Sequence, residues 1–301
     1  MNVTRRELTL SIFIALSGVM MLTVMDAVAK HLVSGEISLV QILAIRSLII
    51  VLIIILAMSA RGKIKTLAPV HWRGQIIPGL IGLFAPVCFF SALIWLPLTN
   101  ATVVSYTAIF ATTALSAWLL KEQVGRWRWS AIVLGYIGVA IALQPTGEGS
   151  LIGYVLVLLA SLSYALIAVL GKRLSSTETS VSLVLFYNLI LGIACALFLP
   201  WMWQSLTTVA LAGIALFALM GVTGQWLMTE AYRRLDGSVV APLEYTSLLW
   251  AVMLDIVIFN TTPALRVFTG AAVIICASLI VIVRERRQQI KRSKVIPRET
   301  P

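Results

Sequence analysis

Ten apolar stretches separated by short polar loops make up most of the chain. They run near residues 8–29, 37–59, 74–95, 99–120, 127–143, 151–171, 181–200, 207–232, 238–259 and 264–283. Each, as a helix, is long enough to cross a hydrocarbon core of about 30 Å. No loop between them is long enough for a soluble domain. The pattern predicts an all-α integral membrane protein of ten transmembrane helices.

Composition agrees with this pattern. Of 301 residues, 60% are hydrophobic and 12% charged. A soluble domain of that length could not cover so much apolar surface. The net charge of +11 would suggest nucleic acid in a soluble protein. Here the basic residues border the predicted spans instead, so the expected partner is the bilayer and not nucleic acid. Of the 23 Lys and Arg, only Lys30 and Arg266 fall in one set of alternate loops, and Arg46 falls inside a span. The rest occupy the N-terminus, loops 60–73, 121–128, 172–180 and 233–237, and the tail from Arg284. Basic loops stay on the cytoplasmic side. Ten spans therefore place both termini in the cytoplasm. The tail is also positioned to meet anionic head groups.

Cys88, Cys195 and Cys276 lie within apolar stretches and read as packed thiols. The first stretch carries Asp26 and is too long for a cleaved signal peptide, so it reads as a span.

The chain also repeats itself. At an offset of 139, Gly74 meets Gly213, Gly82 meets Gly221, Ala92 meets Ala231, and Tyr106-Thr107 meets Tyr245-Thr246. At an offset of 142, Lys30 meets Lys172 and Ser34 meets Ser176; at 135, Gly135 meets Gly270. The order is kept across both halves, which divides the chain into residues 1–145, 146–290 and a basic tail 291–301. Five spans per half is an odd number, so the second half enters the membrane from the opposite side. Such inverted repeats place a site near the midplane between them and favour two conformations with exchanged openings.

With this layout, Leu119-Leu120-Lys121-Glu122, Ala241-Pro242-Leu243-Glu244 and the intramembrane Arg46 resemble the drug/metabolite transporter superfamily. The closest group is its ten-span EamA-type exporters; size and layout are similar to the YddG-type amino-acid exporters. The resemblance implies a secondary transporter without cofactors that exports small metabolites, amino acids first, by alternating access. Nucleosides, cationic drugs or another metabolite are the alternative cargo. One departure is visible: the second half has Phe259-Asn260-Thr261 where the first has Glu122.

Ionisable groups inside a membrane are expensive and ask for a reason. Arg46 reads either as an anchor for a substrate carboxylate or as half of a structural ion pair. Glu244, after Pro242, is a candidate for holding an ammonium group or carrying a coupling proton; its alternative is a structural partner for Arg46 or a hydroxyl. Asp255 lies on nearly the same helical face, nearer the outer end, where a solvated vestibule would explain it. Asp26 and Lys30, at i,i+4, read as a local ion pair. Glu230 with Arg233 and Arg234 reads as a structural cluster at a span end. Gln225, beside Gly221 and Gly224, suits a polar head group or an interhelical hydrogen bond. Asn188 aligns with Arg46 at offset 142. Tyr106 and Tyr245 occupy repeat-equivalent positions and would wall a cavity or pack between repeats. Tyr164, Tyr187, Trp95, Trp226 and Trp250 would extend such a wall. The cavity residues expected are therefore Arg46, Tyr106, Asn188, Gln225, Glu244 and Tyr245.

Several chemistries lack their motifs. The sequence has no GxxxxGK[ST], which argues against ATP drive, and no HExxH or GxSxG. His31 and His71 stand alone, with no metal-ligand grouping. A membrane-embedded enzyme and a channel are the weaker readings.

Overall fold

The computed structural model describes residues 5–35, 37–69, 72–121, 126–142, 150–174, 179–235 and 237–295. Among these the chain is all helical. The helices are α1 Arg5–Val33, α2 Leu39–Ala60, α3 Trp72–Ala92, α4 Leu98–Ser105, α5 Thr107–Leu119, α6 Arg126–Ala142, α7 Leu151–Leu174, α8 Ser180–Met202, α9 Thr208–Arg234, α10 Gly237–Glu244, α11 Ser247–Val257 and α12 Leu265–Val295. Among the described residues, seven apolar segments are long enough to cross a membrane; one of them runs from Leu98 to Leu119 across α4 and α5. Trp129–Ala142 and Leu265–Ile280 are shorter apolar helices. Glu122, His71 and residues 296–301 lie outside the described residues, as do the side chains of the basic tail.

Two of the predicted spans are interrupted. Tyr106 separates α4 from α5, and Tyr245-Thr246 separates α10 from α11. The local cause is hydroxyl chemistry. Ser and Thr side chains that bond back to helix carbonyls bend the helix. Thr102 Oγ1 donates to Leu98 O (2.8 Å), Ser105 Oγ to Thr102 O (2.8 Å) and Thr107 Oγ1 to Val104 O (2.7 Å). In the second half Thr246 Oγ1 donates to Leu243 O at 2.6 Å, and Pro242 removes a backbone donor from α10. Both breaks are tight i→i+3 turns: Ile109 N donates to Tyr106 O and Leu248 N to Tyr245 O, each at 3.1 Å. Thr107 and Thr246, Val104 and Leu243, Tyr106 and Tyr245, and Ile109 and Leu248 are each 139 residues apart. So are Lys121 (φ 55°) and Asn260 (φ 49°), the left-handed residues beyond α5 and α11.

The long helices pack in pairs drawn from the two halves of the chain: α1 on α9, α3 on α7, α2 on α8 and α6 on α12. Where α6 crosses α12 the backbones nearly touch. A Cβ on Gly270 would lie 2.5 Å from Gly138 O, so only glycine permits that approach. Leu43, Leu93, Leu96, Leu98, Phe217 and Ile274 are fully buried at the centre. Phe13, Leu56, Trp118, Trp201 and Val209 point outward, as lipid-facing positions should.

Candidate functional site

A cavity of about 450 Å³ opens where the interrupted helices meet the long ones. That volume is ordinary for a small-molecule site, which spans roughly 300–1,000 Å³. Asp26 and Met25 come from α1, Arg46 from α2, Pro86, Phe89 and Phe90 from α3, and Ser105 and Tyr106 from the first break. Ser161 and Tyr164 come from α7, Tyr187 from α8, Gln225 from α9 and Glu244 from the end of α10. Pro86 positions part of this wall. Lacking an N–H, it frees the carbonyl of Gly82 four residues earlier, and Tyr187 Oη donates to that carbonyl at 3.4 Å. Gly82 leaves room for the ring: a Cβ there would lie 2.7 Å from Tyr187 Cε2. The proline thus fixes an aromatic on another helix at the cavity wall.

Three charged side chains face the cavity. Arg46 makes no ion pair with a described acid. Its guanidinium lies over the Phe217 ring, 4.6 Å from the centroid, Nη2 is 3.9 Å from Met25 Sδ, and Nε is buried without a hydrogen-bond partner. Gly221 clears the space beside it: a Cβ there would lie 2.8 Å from Met25 Sδ and 3.3 Å from Arg46 Nη2. Asp26 is half-buried and within Coulombic reach of Arg46. Glu244 Oε1 accepts from Tyr232 Oη at 2.7 Å.

From the cavity wall, Tyr106 joins the two breaks. Its ring meets Tyr245 edge-on, with centroids 5.1 Å apart and planes at 83°. Its hydroxyl is 2.6 Å from Ser247 Oγ and 3.5 Å from Tyr245 O.

Beyond the cavity, toward the start of α4, a second charged group closes that end of the bundle. Lys30 Nζ is 3.1 Å from Asp255 Oδ1, and Asp255 is completely buried. The same carboxylate accepts the backbone N–H of Leu98 (3.0 Å) and of Thr99 (2.7 Å). It therefore caps α4, where a negative charge complements the helix dipole. The ammonium also lies 4.3 Å from the centroid of Phe259.

Of the residues expected at a cavity, Arg46, Tyr106, Gln225 and Glu244 line it. Tyr245 stands one layer behind. Asn188 faces a different, apolar groove between α2 and α8, and its Nδ2 bonds back to Val184 O (2.9 Å). Tyr164 and Tyr187 extend the wall; Trp95, Trp226 and Trp250 do not. The expected Asp26–Lys30 pair gives way to Lys30–Asp255, because a fully buried carboxylate needs a charge more than a cavity-facing one does. Asp255 accordingly sits in no solvated vestibule. Glu230 does pair with Arg234 (2.7 Å) and Arg233 (3.4 Å). Cys88 and Cys195 are buried, whereas Cys276 is exposed on the bundle surface. Among the described residues no cluster of His, Cys, Asp and Glu is placed to hold a metal ion.

Sequence comparison places this geometry among transport proteins. The EamA-like transporter family model matches residues 9–144 and again residues 151–283. An S-adenosylmethionine uptake transporter of Rickettsia bellii is 28% identical over 247 residues, covering 81% of this chain and 82% of the relative. A riboflavin transporter of Vibrio cholerae is 29% identical over 174 residues, 56% of each chain. A solved crystal structure superposes with a TM-score of 0.64 at 20% identity, covering 95% of this chain and 99% of that one.

Proposed function

The chain belongs to the EamA-like transporter family, and from that premise we propose that it carries a metabolite with an amino-acid head, a further cationic centre and an aromatic ring. S-adenosylmethionine belongs to this class. The observation behind the proposal is the charge set of the cavity: one guanidinium, Arg46, with two carboxylates, Asp26 and Glu244. A substrate with one carboxylate and two cations neutralises that set completely. Arg46, with an unpartnered buried Nε, takes the carboxylate. Asp26 takes the ammonium. Glu244, oriented by Tyr232, takes the second cation, and the rings of Phe89, Tyr106, Tyr164 and Tyr187 receive the heterocycle. Gln225 supplies an amide to its polar edge.

A simple neutral amino acid, exported as the sequence suggests, is the second reading. It leaves one carboxylate unmatched in a low-dielectric site, which is costly. Glu244 would then need a proton on each loaded passage, so amino-acid transport would be proton-coupled and sulfonium transport would not. An uncharged flavin leaves the whole charge set unmatched and fits least.

The architecture we propose is ten spans in two inverted repeats with both termini in the cytoplasm, working by alternating access. The two family matches and the matched hydrogen bonds at both helix breaks support it. So does the pairing of helices: exchanging the halves turns the α1–α9 contact into α7–α3. Counterflow in proteoliposomes tests the substrate class. Saturable exchange of labelled S-adenosylmethionine, competed by its sulfonium analogues and not by riboflavin, is the expected result. Exchange of neutral amino acids alone, retained in Glu244→Gln but no longer dependent on pH because the amide stands in for the protonated acid, replaces it with the second reading.

A further inference from the structure

Glu244 ends α10, where the helix dipole adds partial negative charge to that of the carboxylate. A cation suits this spot, but two kinds of cation need different surroundings. A protonated amine carries N–H donors and needs an acceptor for each. A sulfonium or quaternary ammonium carries none and needs only negative charge and aromatic surface.

The acceptors around Glu244 are largely spent. Oε1 takes the Tyr232 hydroxyl at 2.7 Å. The carbonyl of Leu243 accepts Thr246 N (3.0 Å) and Thr246 Oγ1 (2.6 Å). The carbonyl of Tyr245 accepts Leu248 N (3.1 Å) and Tyr106 Oη (3.5 Å). Unwound carbonyls at a helix break would otherwise serve a cation rich in donors; these two are satisfied from within. Aromatic surface is plentiful by contrast. Tyr232 meets the carboxylate directly, and Tyr164, on the cavity wall, lies within electrostatic reach of it.

Free lysine carries the same one carboxylate and two cations that the cavity charges call for. Charge alone therefore does not separate it from a sulfonium amino acid. We propose that the Glu244 end of the cavity selects an onium cation over a protonated amine, and that Tyr232 sets this preference by holding Oε1 in a hydrogen bond. Tyr232 is a positioning residue that acts through Glu244, from the last turn of α9. This inference rests on the assignment of the second substrate cation to Glu244 made above.

The test reads binding and not transport, as ligand-induced thermal stabilisation of the purified protein in detergent. Its two probes share one carbon skeleton: lysine and Nε-trimethyl-lysine. The parent should bind the trimethylated form at least about tenfold more tightly, the factor expected for one hydrogen bond to a charged group. Tyr232→Phe keeps the ring and releases Oε1, so it should tighten lysine and bring the two ligands within about twofold of each other. Glu244→Gln should weaken trimethyl-lysine by about tenfold or more. A purely structural Tyr232 predicts equal losses for both ligands and an unchanged ratio. The proposal is overturned if the parent binds lysine as tightly as its trimethylated form, or binds neither. It is equally overturned if Tyr232→Phe leaves the ratio unmoved, or if Glu244→Gln leaves trimethyl-lysine binding unmoved. The substrate reading fails separately: a trimethyl-lysine preference without exchange of S-adenosylmethionine keeps the onium site and discards the aromatic cargo.

Discussion

Two charged groups lie inside this bundle, and they handle charge in opposite ways. At the closed end, Asp255 is saturated: one ammonium and two backbone N–H groups meet its carboxylate. In the cavity, Arg46 makes no ion pair with a described acid and keeps a bare Nε, and Asp26 faces open space beside it. Saturated charges build the fold, whereas unsaturated charges in a roomy cavity await a ligand. The comparison can be broken by showing that cavity charges matter for stability or that end charges do not.

The largest effect is expected at the saturated end. Asp255→Ala strands Lys30 and two backbone donors, and breaking a buried pair in this way costs about 3–5 kcal/mol. We expect little folded protein in detergent, read by size-exclusion profile and thermal melting. A variant that melts like the parent would show that the charges at the closed end do not hold the fold.

Arg46→Met should reverse that pattern. The guanidinium has no ion-pair partner to strand, so the melting temperature should stay within a few degrees of the parent. Substrate exchange should fall by about two orders of magnitude, the equivalent of roughly 2–3 kcal/mol for a lost charged hydrogen-bonding group. Melting and counterflow on the same preparation separate the two effects. Gly221→Ala acts less directly. Its methyl would press on Met25 Sδ and Arg46 Nη2, and shifting the guanidinium should weaken apparent substrate affinity about tenfold, with a maximal rate nearer the parent's.

How much of this was legible beforehand follows from the range of each interaction. Helix positions were, because a run of about 20 apolar residues is a local property: the sequence places spans near 8–29 and 181–200, and helices occur at Arg5–Val33 and Ser180–Met202. The breaks at Tyr106 and Tyr245 do not show in the apolar pattern, although Ser105-Tyr106-Thr107 and Tyr245-Thr246-Ser247 carry the hydroxyls that cause them. Arg46 and Glu244 stood out because a charge within an apolar run is visible. The i,i+4 rule is local and pairs Lys30 with Asp26, whereas Asp255, the acid that Lys30 meets, is 225 residues away. Tyr232, the partner of Glu244, lies across a helix turn that no periodicity reveals. Asn188 was drawn in by alignment with Arg46, but alignment fixes depth and not which face of a helix the side chain leaves.

The smallest effect bears on the boundary between the two regions. Tyr106 belongs partly to each: its ring lines the cavity while its hydroxyl ties the first helix break to the second through Ser247. Tyr106→Phe keeps the ring and its edge-on contact with Tyr245 and removes only the tie, which is worth about 1 kcal/mol. If the tie is part of the fold, melting falls by a few degrees and substrate affinity is unchanged, because Phe offers the same aromatic face. If the hydroxyl instead serves the ligand, affinity falls and melting stays put. The hydroxyl already lies within 2.6 Å of Ser247, so the first outcome is expected. It would place the limit of the ligand site at the ring of Tyr106, with its oxygen on the structural side.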